Sequence, residues 1–238
     1  MVHKTLLYEH RHTNPLLPLR AMGLLGGTFD PVHEGHLAIA RAVNAHFGLD
    51  HVRLIPAHVP VHRPTPGADA CHRLAMLRLA VAPHAELVVD TREFDSLQQN
   101  YTLWTLQSLR AEYPEASLLW IIGEDAFAQL PTWHRWPELF DATHFVIINR
   151  AGERAPEALP EVLQAAVLPR LTDDKRALTS RPAGLVYRLT LPPQPASSTL
   201  VRAALAAGRV DSIAGLLPAP VLAYIARHSL YQTTSHGS

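Results

Sequence analysis

The run "SLLWIIG", Ser117–Gly123, limits the folds open to this chain more than any other stretch. A strand apolar at nearly every position has to be covered on both faces, and that burial belongs to the interior of a parallel sheet. The run is one of a series. "RAMGLLGG", "HVRLIP", "ELVVD", "HFVIINR" and "GLVYRL" read as further short strands. Segments of helical period separate them: Leu37, Ala40, Val43 and Phe47 before a stop at Gly48; Leu74, Leu77 and Val81 in a helix over about 70–82; Leu103, Leu106 and Leu109 in a helix from about Thr102. Two more helices are expected at Ser198–Ala207 and Ala219–Arg227, and one inside the polar, Pro-containing insertion 151–183. Strand–helix alternation of this kind predicts an α/β, Rossmann-like, mostly parallel sheet with helices on both faces and right-handed crossovers.

One domain over residues 20–231 is expected, after an extension over 1–19 and before a polar tail over 232–238. With 238 residues, 47% of them hydrophobic, the chain suits a single large domain. Twenty-one basic residues balance 21 acidic ones, which does not indicate a broad nucleic-acid surface. No apolar run approaches a bilayer span, and "MVHKTLLYEHRHTNPLLPLR" lacks the continuous apolar core of a secretory signal. The single cysteine, Cys71, rules out an intrachain disulfide and fits a reducing cytoplasm.

Ligands of such sheets bind beyond the carboxyl ends of the strands. "GGTFDPVHEGH", Gly26–His36, stands there, directly after the first strand. Its glycines do not follow the GxGxxG spacing of a dinucleotide loop, it lacks the lysine of a Walker A loop, and its histidines are not spaced as in HExxH. His33 and His36 share a helix face, yet no third ligand with convincing spacing exists, so no metal site is assigned. Phosphate chemistry fits better. Gly26 and Gly27 admit a bulky polyphosphate, and the helix start offers amides and its positive dipole end. Two imidazoles on the first turn can donate to phosphate oxygens. A pair of surface histidines in a turn is the bland alternative on spacing alone, in a chain with 15 histidines.

The full string resembles the signature of the HxGH-type nucleotidylyltransferases. That resemblance puts Thr28 near the triphosphate and gives Phe29 to the same ATP site. The late "PASSTLVRAAL" matches a second motif of those enzymes. Among Ser197, Ser198 and Thr199 a hydroxyl caps a helix whose first-turn amides can take an anion, and Arg202 lies one turn along. Taken alone, "SST" is simply a helix cap.

From Met22 to Tyr231 the chain resembles the bacterial nicotinate mononucleotide adenylyltransferases. The matches fall in family order: "IPAHVPVHRPTP", "NYTLWTL", "IIGEDAFAQLPTWHRW", "VIINRAG", "SSTLVR" and "LLPAPVLAYIARHSLY". Each carries an expectation. His62 and Arg63 clamp a phosphate from a loop, or else form a solvated loop face. Thr102, beside Tyr101, caps a helix whose amides meet the nicotinate carboxylate. Asp125, after Gly123 at a strand end, holds a ribose hydroxyl. Trp133 resembles the family's pyridine-stacking tryptophan, with Trp136 left to the core. Arg150 resembles a residue near the mononucleotide. Asn100, Ala196 and His58 depart from the usual pattern.

The resemblance implies attack by the 5′-phosphate of nicotinate mononucleotide on the α-phosphorus of ATP. The products are nicotinate adenine dinucleotide (deamido-NAD) and pyrophosphate, and Mg2+ comes with the ATP. Positioning and charge stabilisation carry such a step without a covalent nucleophile. Rival readings are a phosphopantetheine adenylyltransferase, a preference for nicotinamide mononucleotide, and a nucleotide sensor without catalysis.

Overall fold

The computed structural model describes residues 21–58, 66–95, 101–150 and 159–232. Six strands form one parallel sheet: β1 (Ala21–Gly27), β2 (His51–Pro56), β3 (Leu87–Val89), β4 (Ser117–Gly123), β5 (His144–Arg150) and β6 (Val186–Leu191). Their spatial order is β3-β2-β1-β4-β5-β6. The chain therefore winds outward twice from the middle, and the direction reverses between β1 and β4. That reversal opens a crevice at the carboxyl ends of the two strands. Register sets Gly27 opposite Pro56 and Leu24 opposite Trp120.

Helices follow as α1 (Glu34–Phe47), α2 (Ala70–Val81), α3 (Arg92–Asp95), α4 (Thr102–Glu112), α5 (Glu124–Ala128), α6 (Leu139–Ala142), α7 (Glu161–Val167), α8 (Ser198–Ala206) and α9 (Ala219–Arg227). Helices α1, α2, α8 and α9 cover one face of the sheet through Leu37, Val43, Met76, Leu77, Val201 and Val221. On the other face α4 to α7 bury Leu106, Phe127, Phe140 and Leu163. β4 shows why its sequence is apolar throughout. Leu119 and Ile121 enter the first layer, while Leu118, Trp120 and Ile122 enter the second.

Gly48 ends α1 in the left-handed conformation, φ 62°, with its N–H on the Asn44 carbonyl, the stop its sequence predicts. α2 departs from expectation. Its buried face is Arg73, Met76, Leu77, Ala80 and Val81, whereas Leu74 is only half-buried. A polar residue thus occupies the innermost stripe of α2 and turns the apolar face away from the expected one. The expected helix of the insertion is α7. Among the described residues, no helix is long and apolar enough to cross a membrane.

Candidate active site

Gly26 and Gly27 end β1, and the chain then turns through Thr28 to Val32 into α1. Gly26 has a packing reason beyond ligand approach: a Cβ there would lie 2.8 Å from the Trp120 ring. Phe29 is buried with left-handed backbone, φ 48°. Its ring meets His36 edge-on at 5.0 Å.

His33 is the N-cap residue of α1 and His36 lies three residues on. Their rings stack with centroids 3.7 Å apart. The His33 backbone N–H donates to His36 Nδ1 at 3.3 Å. A neutral His36 therefore carries its proton on Nε2, the nitrogen that can donate onward to an anion. His33 is buried, and His36 is half-buried.

The amides of this helix start are partly committed. Glu34 N–H donates to the Leu216 carbonyl at 2.9 Å, and His36 N–H turns back to the His33 carbonyl at 3.0 Å. The expectation of a helix start with open amides is corrected to that extent, because the chain before α9 folds over it.

The late motif joins the early one. Ser197 caps α8, its Oγ accepting the Leu200 N–H at 3.2 Å. Ser198 Oγ donates to the Pro31 carbonyl at 3.1 Å. Arg202 Nη1 donates to the Asp30 carbonyl at 2.6 Å, and its Nη2 reaches Thr199 Oγ1 at 3.5 Å. Gly35 makes the join possible: a Cβ there would lie 3.0 Å from His33 Nδ1 and 3.2 Å from the Ala196 carbonyl. Two motifs more than 160 residues apart in sequence thus border one crevice.

On the other side of the switch point, Gly123 closes β4 and is the N-cap residue of α5, whose first turn carries an exposed Asp125. At the start of α4, Tyr101 stacks on His134 at 4.5 Å and meets Trp104 edge-on at 5.0 Å. The N-cap residue is Tyr101, with extended backbone and no side-chain capping bond. Thr102 is instead the first helical residue, so its expected capping role is corrected. Trp133 and Trp136 are both half-buried against the second core layer. Trp136 meets Phe140 edge-on at 6.2 Å. Arg150 ends β5. His62 and Arg63 lie outside the described residues, as do the first 20 residues and 233–238.

The cytidylyltransferase-like family model matches residues 24–204, a span that contains both motifs. A "probable nicotinate-nucleotide adenylyltransferase" of Laribacter hongkongensis is 45% identical over 221 residues, which cover 92% of this chain and 98% of that protein. One of the same name from Acidithiobacillus ferrooxidans is 42% identical over 210 residues, 88% of this chain and 95% of the relative. The chain belongs to the nicotinate-nucleotide adenylyltransferase family. Its fold is also that of a solved Plasmodium falciparum nicotinic acid mononucleotide adenylyltransferase complexed with NaAD. That similarity has a TM-score of 0.67 at 15% identity, over 89% of this chain and 97% of the other.

In this member of the family, three site residues lack any assignment from sequence: Asp30, Gly35 and Arg73. Arg73 is 1% exposed and donates to the carbonyls of Thr28 (2.7 Å), Ala57 (2.7 Å) and His58 (2.8 Å). It ties the end of β1 to the loop after β2. Burial lowers its pKa from the ordinary value, against the opposing pull of the Asp30 carboxylate. Its one sequence signal is a position four residues before Leu77, on what becomes the buried stripe.

Proposed function

We propose that this chain transfers the adenylyl group of ATP to the 5′-phosphate of nicotinate mononucleotide. A phosphate oxygen of the mononucleotide bonds to the α-phosphorus, the α–β bridging bond breaks, and pyrophosphate leaves with that electron pair. The products are nicotinate adenine dinucleotide and pyrophosphate. The observation that carries this reading is the stacked His33–His36 pair, with Arg202 bonded to Asp30 in the turn that leads into it, after the carboxyl end of β1.

In this reading His36 Nε2–H and the His33 ring donate to triphosphate oxygens as negative charge builds on the departing pyrophosphate. Donors aimed at developing charge lower the barrier because they need no reorganisation during reaction. Thr28, Phe29, Gly26 and Gly27 line the nucleotide side with Ser197, Ser198 and Thr199, and Gly123 at the end of β4 and Asp125 in the first turn of α5 are assigned to the adenosine. Tyr101, Thr102, Trp133, Arg150, His62 and Arg63 are assigned to the mononucleotide. Aromatic groups around α4 suit a flat pyridine ring, as the Tyr101–His134 stack illustrates. Among the described residues no three His, Cys, Asp or Glu side chains are grouped to hold a metal. The Mg2+ of this reading comes with the MgATP substrate, carried by phosphates and water. We assign the reaction to the cytoplasm, which suits the exposed thiol of Cys71.

Pyrophosphate release from MgATP tests the reading, with nicotinate mononucleotide, nicotinamide mononucleotide and phosphopantetheine as parallel acceptors. Preference for the nicotinate form, lost in His36→Ala, is the expected result. Release with phosphopantetheine alone would replace the substrate, and release with none would remove the enzyme.

A further inference from the structure

Asp30 is 6% exposed and sits in the turn that leads to His33 and His36, and its carboxylate is held by donors from elsewhere in the chain. Oδ2 accepts the Gly67 N–H at 2.8 Å. Oδ1 accepts the Ala68 N–H at 3.1 Å and the Tyr231 hydroxyl at 2.8 Å. The carboxylate thus has three donors from two distant segments. Arg202 is also close: its Nη1 holds the Asp30 carbonyl at 2.6 Å and lies 3.7 Å from Oδ2.

Tyr231 reaches this position by an unusual route. After α9 the chain passes through Ser229 at φ 50° and Tyr231 at φ 62°, left-handed conformations that non-glycine residues rarely adopt. Such backbone persists where its surroundings hold it. Here the phenol ring rests on Gly67, where a Cβ would come within 3.0 Å of Tyr231 Cδ1 and Cε1. Burial, reinforced by the Asp30 carboxylate, pushes the phenol pKa up, so the group stays a neutral donor.

We propose that Tyr231 is a positioning residue that keeps the Asp30 carboxylate satisfied and so leaves the Arg202 guanidinium to the triphosphate. The geometry sets up a competition. With the hydroxyl in place, Arg202 is anchored on the Asp30 backbone oxygen and meets the carboxylate only in a loose ion pair, Nη1 3.7 Å from Oδ2. Without the hydroxyl, Oδ1 is a buried acceptor one donor short, and the Arg202 guanidinium, 3.7 Å from Oδ2, can close that loose ion pair. A guanidinium drawn closer to the Asp30 carboxylate turns away from the crevice. This role rests on the adenylyl-transfer reading above.

Tyr231→Phe isolates the hydroxyl and keeps the ring on Gly67. A lost hydrogen bond to a charged group predicts a fall in kcat of about tenfold or more, with the acceptor KM within about twofold. A merely structural role is separated by a double-mutant cycle with Arg202→Ala. The same Tyr231→Phe change should cost less than about twofold when Arg202 is already absent, because the group it releases is gone. MgATP binding stoichiometry by calorimetry shows that each variant remains folded. Wild-type rates in Tyr231→Phe, or an undiminished loss in the Arg202→Ala background, would overturn the proposal. If the wild type releases pyrophosphate with no acceptor, the function reading fails by itself. The cycle is then read on MgATP affinity, where the same non-additivity is expected and full additivity overturns the proposal.

Discussion

The guanidinium of Arg73 donates to the carbonyl oxygen of Thr28 at 2.7 Å, so a buried charge in α2 fixes the residue at which β1 gives way to the turn into α1. The same side chain holds the carbonyls of Ala57 and His58. Removing it strands three acceptors at once. Arg73→Met is therefore expected to lose about 3–5 kcal/mol of stability despite its similar volume. Arg73→Lys recovers only part, because an ammonium cannot span the same fork. Urea unfolding of both variants checks the order.

What the sequence revealed, and what it concealed, follows from range. β4 was legible because burial on both faces leaves apolar residues at nearly every position. The α1 stop was legible because Gly48 needs the left-handed region. The two motifs stand out as strings, the structure joins them through Ser198–Pro31 and Arg202–Asp30, and Ser197 acts as the cap its position implies. Arg73 was hidden because a charge on a buried stripe breaks the apolar period on which that reading depends. The helices α3, α5 and α6 have four or five residues, too few to show a period. The Asp30–Tyr231 bond spans 201 positions, and no local spacing encodes it. Histidine content was equally silent on its own. His144 is a fully buried structural histidine, its Nδ1 accepting the Leu185 N–H and its Nε2 donating to the Arg181 carbonyl.

The stacked pair makes a graded prediction for catalysis. His36→Ala removes the Nε2 donor and also the ring against which Phe29 and His33 pack. Loss of a donor to developing charge typically costs about 2.7–4 kcal/mol, so kcat should fall by about 10²–10³-fold. Because the rings touch, His33→Ala in the His36→Ala background should cost less than in the wild type. Single-turnover rates of the two single variants and the double variant decide this, and strict additivity would count against a shared role.

Glu93 gives the pH dependence of stability its sign. Its carboxyl is 8% exposed and accepts the Thr105 hydroxyl at 2.8 Å. Burial, with help from nearby Asp90, raises its pKa from 4.5 to about 7. A folded-state pKa above the unfolded one favours the fold while the acid is protonated. That contribution is complete below about pH 4.5 and is lost as pH rises through about 7. Glu93→Gln keeps the acceptor for Thr105 and has no proton to lose. At pH 8.5 the variant should be more stable than the wild type by about 2–3 kcal/mol, and the two should converge toward pH 4.5. Denaturant midpoints at the two pH values test it, and parallel curves would exclude Glu93 as the source.

Gly35 separates catalysis from stability most sharply. A methyl group there would meet His33 Nδ1 at 3.0 Å and the Ala196 carbonyl at 3.2 Å. Both contacts are tight, so a buried ring and a backbone carbonyl must each give by a few tenths of an ångström. Helix propensity favours alanine over glycine by about 1 kcal/mol, so the steric cost is largely offset. Gly35→Ala should therefore melt within a few degrees of the wild type, since ~1 kcal/mol corresponds to about 2–4 °C in a domain of this size. Activity should respond differently. The shifts needed to admit the methyl push the His33 ring from its stack and part the late motif from the early one. A misplacement of this kind costs about 10²-fold where geometry governs the rate. Thermal melts alongside kcat make the comparison, and a variant that loses both in proportion would assign Gly35 to folding alone.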